Sequence, residues 1–486
     1  MSKNYSNDES LTNWELVSVH PKEKNWSWFT IFNLWANNLQ TVIGFSLIAS
    51  LYLVYGLDAS IVFFGIILAG LFVVLMANLT GKPCQKMGIP FPVFLRISMG
   101  IYGAKLASLI RGITALSMFG IQTFFISKSI GFLIRISIFS TKKDLLENEL
   151  LNKFFFELST IDWFALFLAS IIQFFLFTKG INLIKKIINF SGITVYLVII
   201  FFSTYIISKT QSDLFYSVQS IFSFDRNINF ESFLPIFTIF GTIFAYFSIV
   251  IVNYGDYSRY VSNEVELKKG NLSLILNIII FSILAIIVAV GCDIIFHQNQ
   301  ISPEKILTNP SDIIGQFDNI SLSVIVLIVI LIASVSTNLI ANFIPTTNTL
   351  INLIPQKLTF KTSGFLISLL GFIIGGLWIS FISRVGLLSI IDTIGAFLGP
   401  LFGIIIIDYY IIKKKTVSFN DLFSSDPKGK YFYTNGWNLK SFYSLFIAFI
   451  FSSATIWNDE LRFLNSYAWI IGAFTGGFLQ FLLSKK

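Results

Sequence analysis

Three residues about one helical turn apart offer the most specific chemistry in this chain. Ala333, Ser336 and Thr337 stand at i, i+3 and i+4 inside an apolar run, so one helix face presents a carbonyl and two hydroxyls to a common point. Oxygen-only ligands suit a hard cation such as sodium. The competing assignment is that both hydroxyls bond back to their own helix, as Ser and Thr in apolar helices often do. Asn338 and Asn342 follow on the same run and add amides that can read the edge of a planar heterocycle. A second run carries Ser117, Met118, Gln122 and Thr123, with Met118 and Gln122 one turn apart. Gln122 can make a two-point contact to an amide-like edge, or simply bond to a neighbouring helix. A third stretch, from Phe32 to Gly44, crowds Asn33, Asn37, Asn38, Gln40 and Thr41 around Trp35.

These polar residues interrupt a series of apolar segments near the ~20 residues that cross a bilayer. With 55% hydrophobic and 12% charged residues, the 486-residue chain has lipid as its solvent. The net charge of +8 does not mark a nucleic-acid binder, because Lys and Arg sit in short loops and form no continuous basic face. Cys84 and Cys292 are far apart and lack a ligand pattern, so neither a disulfide nor a metal site is expected. Residues 1–25 lack the features of a secretory signal and read as a soluble tail, disordered at its start.

The expected architecture is an all-α polytopic membrane protein. Twelve helices are expected near 29–54, 60–79, 106–138, 162–178, 189–208, 233–255, 271–296, 321–344, 363–382, 385–412, 441–457 and 468–484, the tenth being long enough to hide a break at Gly399 and Pro400. Alternate loops are basic: Lys82, Lys86, Arg96 and Lys105; Lys179, Lys185 and Lys186; Arg259, Lys268 and Lys269; Lys357 and Lys361; Lys413 to Lys415. Lys485 and Lys486 join that set, which places both termini in the cytoplasm and the protein in the plasma (inner) membrane.

A membrane helix that breaks its own hydrogen bonds at mid-depth must line a cavity or an ion. Two spans are expected to do so. They are the first, at its Asn and Gln cluster, and the sixth, where Gly241 and Thr242 precede Phe244-Ala-Tyr-Phe-Ser248. Each opens a block of five helices, the spacing of an inverted repeat in secondary transporters. The alternative is that these amides glue helices together.

The chain resembles the nucleobase-cation-symport-1 family over most of its length. The resemblance rests on Asn33-Leu-Trp-Ala-Asn-Asn-Leu-Gln40; Gly88-Ile-Pro-Phe-Pro-Val93 with Arg96 and Gly100; and Arg111-Gly112 leading to Phe119-Gly-Ile-Gln122. It continues through Asn253-Tyr-Gly-Asp-Tyr-Ser-Arg-Tyr260, Ser336-Thr-Asn-Leu-Ile-Ala-Asn342 and Gly399-Pro-Leu-Phe-Gly403 with Asp408-Tyr-Tyr410. It implies a LeuT-type fold: a five-plus-five inverted repeat and two C-terminal helices, divided as a tail 1–27, repeats 28–208 and 209–412, and a closing unit 413–486. By position it implies a sodium site at Ala36, Leu39, Ala333, Ser336 and Thr337, with a proton as the alternative coupling ion. The implied substrate pocket is Gln40, Met118, Gln122, Phe247, Asn338 and Asn342. The family commonly has Trp where Met118 stands and often Trp where Phe247 stands, so a softer, less strongly stacking pocket is expected.

The expected activity is sodium-coupled import of a nucleobase, hydantoin, allantoin or related ureide, with thiamine-like heterocycles as the alternative substrates. The implied partners are that small molecule and the lipid bilayer, and the chain is expected to act as a monomer. An integral-membrane enzyme would need clustered His, nucleophiles or carboxylates at membrane depth, yet only His20 and His297 are present, in the tail and at a span end. A channel would need a filter or charged ring, which the sequence does not contain.

Overall fold

The computed structural model describes residues 8–54, 58–222, 230–298, 306–317 and 319–485. The first span is two helices, α1 (Trp28–Leu39) and α2 (Val42–Leu53), set end to end. Neither alone crosses a bilayer, but 24 residues at ~1.5 Å each give the needed length. Next come α3 (Ala59–Met87), α4 (Gly103–Thr141), α5 (Thr160–Thr178), α6 (Ile181–Ile221, kinked at Gln211), α7 (Phe230–Val252) and α8 (Glu264–Gln298). The eighth span is α9 (Ile320–Asn338), a π-helical turn (Leu339–Phe343) and α10 (Ile344–Leu353). Then follow α11 (Phe360–Gly376), α12 (Leu387–Ile407), α13 (Leu439–Trp457) and α14 (Ala468–Ser484).

Among the described residues ten helices are long and apolar enough to cross a membrane, and α11 with the bent segment after it makes an eleventh. Counting the broken first span as one more is consistent with the expected twelve. Large apolar side chains such as Phe64, Leu75, Phe167, Phe201, Phe451 and Phe474 stand exposed, as a lipid-facing belt requires.

Two helix groups pack side by side. In one, α3 lies against α7 and α8, and α8 against α1; in the other, α4 lies against α5, α9, α10 and α11. Each group draws helices from both halves of the chain.

Three expectations change. The sixth span is a single helix, α7, with no break at Gly241 to Ser248. Its hydroxyl at Ser248 donates to Ala245 O at 2.7 Å within the same helix, so nothing there competes for the ladder. The tenth span likewise runs unbroken through Gly399 and Pro400. Gly399 and Gly403 abut the backbone of α14 at Trp469 and Ala473, while Gly472 and Gly476 abut Pro400, so small residues clamp α12 against α14 where the sequence allowed a break. Finally, the eighth span does not stop before Pro345. The ring takes the start of α10, where a missing N–H is tolerated, and the π turn absorbs the mismatch.

The expected disordered start, residues 1–7, lies outside the described residues. From Asp8 onward the tail is strapped across one end of the bundle, here termed the tail face, with Leu11 and Leu16 fully buried. Asn13 Nδ2 donates to Pro355 O and Leu358 O between α10 and α11, at 2.8 and 3.1 Å. Arg259 Nη1 donates to Glu15 O at 2.6 Å, between α7 and α8.

Candidate functional site

The break in the first span is built by Gln40 and Thr41. Gln40 sits outside helical geometry (φ −77°, ψ 13°), and Thr41 is extended (φ −80°, ψ 162°). Thr41 Oγ1 caps α2 by accepting from Gly44 N at 2.9 Å, which starts a fresh helix. The Tyr246 hydroxyl on α7 donates to Asn38 O and lies 3.2 Å from Thr41 Oγ1, holding the break from the second side. The C-terminal carbonyls of α1 therefore end mid-membrane, where the helix dipole is negative.

Against that end stand the hydroxyls of α9. Thr337 Oγ1 donates to Asn37 O at 2.6 Å, while Ala333 O of its own helix is 3.1 Å away. The Thr337 hydroxyl thus touches its own turn and bridges to α1. Ser336 Oγ is fully buried and has no hydrogen-bond partner. A buried hydroxyl without a partner, one residue before the hydroxyl that reaches the end of α1, is the type of oxygen ligand that suits a small hard cation. Ala36 O accepts from Gln40 N at 2.9 Å, in the last turn before the break that follows Leu39.

One turn further on, α9 joins a chain of amides. Asn342 Nδ2 donates to Gln122 Oε1 at 3.2 Å and to Asn338 Oδ1 at 2.9 Å. Asn338 Nδ2 donates in turn to Gln173 Oε1 on α5 at 2.7 Å. Three of the expected substrate residues, Gln122, Asn338 and Asn342, are therefore in direct contact. Gln173 was not singled out from sequence. Its signal is a lone amide in the otherwise apolar run of the fourth span, the kind of intramembrane polar residue that needs a named partner.

The other three expected pocket residues stand apart from this chain. Gln40 turns its Nε2 to Gly192 O on α6 at 3.2 Å, because Gly192 allows α1 to approach closely. Phe247 packs edge-on to Trp35 of α1, with centroids 6.0 Å apart, and Trp35 stacks on Tyr254 at 5.3 Å. Met118 is buried on α4, one turn before Gln122. Gln40 and Ala333 also line an apolar cavity with residues of α2, α6, α8 and α9.

Toward the tail face a second polar network closes the bundle. The π turn and Pro345 leave backbone carbonyls on the eighth span without helical donors. Arg111 Nη2 donates to Ala341 O at 2.9 Å, and the Tyr257 hydroxyl donates to Ile340 O at 2.8 Å. Arg111 Nε donates to Asn253 Oδ1 at 2.8 Å, and Asn253 Nδ2 donates to Asp256 Oδ2 at 3.2 Å. Asp256, in the segment between α7 and α8, also accepts from Phe91 N and Asn348 Nδ2 at 3.0 and 2.8 Å. Burial pushes its carboxyl up to about 6, although Arg259, Arg111 and the hydrogen bonds pull the other way. Sequence reading had placed Arg111 and Asp256 only in motifs, since their partners lie on other spans.

Among the described residues no three His, Cys, Asp or Glu side chains come together as a metal cluster.

Comparison with known proteins gives a consistent result. A family model described as permease for cytosine/purines, uracil, thiamine, allantoin matches residues 18–472. The purine-uracil permease NCS1 of Arabidopsis thaliana is 26% identical over 450 residues, covering 90% of this chain and 70% of that protein. The allantoin permease of Bacillus subtilis is 26% identical over 465 residues, covering 95% and 91%. Among solved structures, Mhp1, a nucleobase-cation-symport-1 family transporter in a closed conformation with bromovinylhydantoin bound, superimposes with a TM-score of 0.75 at 18% identity, covering 97% of this chain and 95% of that one. The fold is the LeuT-type arrangement.

Proposed function

Because this chain belongs to the family of permeases for cytosine/purines, uracil, thiamine and allantoin, we propose that it is a symporter importing a nucleobase or cyclic ureide together with sodium. It is a multi-pass membrane permease and not an enzyme.

The observation that carries the reading is that one span, from Ala333 to Asn342, holds both an oxygen set against the end of α1 and an amide pair against Gln122. Ala36, Leu39, Ala333, Ser336 and Thr337 would hold the sodium. When bound, the ion supplies positive charge at the negative end of α1 and joins it to α9. Asn342 Oδ1 and Gln122 Nε2 accept from and donate to a lactam-like ring edge. Met118 and Phe247 would form the apolar walls on the pattern of related permeases, and Gln40, at the break, would complete the pocket. The amides, hydroxyls and carbonyls around the break take up no proton near neutral pH, which favours sodium over a proton as the coupling ion. Basic loops on the tail face support a cytoplasmic location for both termini in the plasma (inner) membrane.

Cation and substrate both engage α9, so each favours the arrangement that completes the other's site, and the coupling is reciprocal. Purified protein in liposomes tests this with labelled uracil, hydantoin and allantoin. Saturable uptake of at least one, driven by a sodium gradient and lost in potassium, is expected. Uptake indifferent to sodium but driven by a pH gradient would overturn the choice of ion, and no uptake of any would overturn the substrate class.

A further inference from the structure

We infer that Gln173, which lies behind the site and touches no substrate, sets the hydrogen-bond polarity that Gln122 and Asn342 present, and so determines which ring edge the permease accepts. The inference rests on the functional reading above and deepens it.

The two ends of a carboxamide have nearly the same shape but opposite character, one a double donor and the other an acceptor. A pocket made of Gln122 and Asn342 could therefore present either order, and an order free to invert would not distinguish a lactam edge from an amidine edge. Here the order is fixed from the protein's backbone. Gln173 Nε2 donates to Ala169 O at 3.1 Å, and a carbonyl can only accept. Its second hydrogen goes to Thr123 Oγ1 at 3.1 Å, because the Thr123 hydroxyl has given its own hydrogen to Phe119 O at 2.7 Å. Gln173 must then turn Oε1 toward Asn338, which donates to it at 2.7 Å and also faces Phe119 O at 3.1 Å and Thr123 Oγ1 at 3.2 Å.

With Asn338 Nδ2 committed, its Oδ1 faces Asn342, and both hydrogens of Asn342 Nδ2 are used on Asn338 and Gln122. Inverting Asn342 alone would set acceptor against acceptor at two contacts. Inverting the whole chain would set Gln173 Oε1 against Ala169 O. One order is therefore left, with Asn342 Oδ1 as the acceptor and Gln122 Nε2 as the donor. Gln173, Thr123, Asn338 and Asn342 are all buried, so no water substitutes for a missing partner, while Gln122 is only partly buried, as a contact residue must be.

Gln173→Leu removes the nearest acceptor of Asn338 and loosens the order without touching the pocket wall. Gln173→Glu is the conservative control, since a protonated carboxyl can donate to Ala169 O and accept from Asn338. The readout is the affinity ratio within two ligand pairs that differ in edge polarity: uracil against cytosine, and hydantoin against its 2-amino analogue glycocyamidine. The wild type is expected to prefer one member of at least one pair by ~10-fold or more. Gln173→Leu should reduce that ratio to ~3-fold or less, mainly by weakening the preferred ligand, and Gln173→Glu should retain it. Thr123→Val removes the acceptor shared by Gln173 and Asn338 and should shift the ratio in the same direction, which keeps the test decisive if Gln173→Leu does not fold. An equal loss for both members, or an unchanged ratio in Gln173→Leu and Thr123→Val, overturns this inference alone. A wild type that binds none of the four overturns the functional reading and this inference with it.

Discussion

Thr337 and Asn37 lie 300 residues apart, yet the hydroxyl of the first donates to the carbonyl of the second at 2.6 Å. That bond joins the two helix groups where the first span is broken, and the partnerless Ser336 hydroxyl is next to it in sequence.

Ser336→Ala should separate ion binding from folding. Removing a buried hydroxyl that has no partner leaves the sodium-free protein as stable as before, or slightly more so. The same change should abolish most of the thermal stabilisation that sodium gives the parent, and Thr337→Ala should raise the sodium needed for half-maximal uptake ~10-fold. Melting curves with and without sodium check the first and uptake at graded sodium the second, and an unchanged response to sodium in both variants would place the ion elsewhere.

Gln122→Ala and Asn342→Ala should each weaken substrate binding ~10-fold or more, in line with the ~1–3 kcal/mol cost of losing a buried amide contact. Asn342→Ala should be the worse of the two, because it also strands Asn338 Oδ1. Direct binding measurements on the purified variants are the check, and normal affinity in both removes them from the pocket.

Closure at the tail face should depend on Arg111. Cys84 is a free, buried thiol packed under Gly255, next to Asp256, so its labelling reports opening on that side. Arg111→Lys keeps the charge but loses the fork that reaches both Asn253 and Ala341, and should accelerate labelling of Cys84 severalfold. Equal labelling rates would show that the network does not hold the closed state.

Asp256 supplies a pH dependence with a defined sign. Its carboxyl is raised from 3.8 to about 6, so the folded closed state holds the proton more tightly than an exposed carboxyl does. Stability contributed by the neutral form is present at low pH and falls as pH rises between 3.8 and about 6. The melting temperature of the parent relative to Asp256→Asn should therefore fall across that window and level off above it. A flat or rising difference would mean the carboxyl is ionised while closed.

Much of the site was legible because membrane depth makes polar residues expensive and therefore informative. The break in the first span could be read from residue type, and the Ser336 and Thr337 hydroxyls could be singled out by their spacing, while their assignment to a cation came from the family resemblance. The π turn could not, because its cause, Pro345, marks a helix end equally well in a sequence. Gln173 escaped because its meaning lies in a contact with Asn338, 165 residues away. The sixth span misled because Gly241, Thr242 and Ser248 permit a break without forcing one, and α7 satisfies its own hydroxyl.

The strap at the tail face has a mechanical consequence. Asn13 grips the corner between α10 and α11, and Glu15 grips Arg259 between α7 and α8, so the two helix groups share a leash only two peptide steps long. A fully stretched chain of that length reaches ~7 Å. A displacement that pulls those anchors further apart than this requires the tail to let go of one of them.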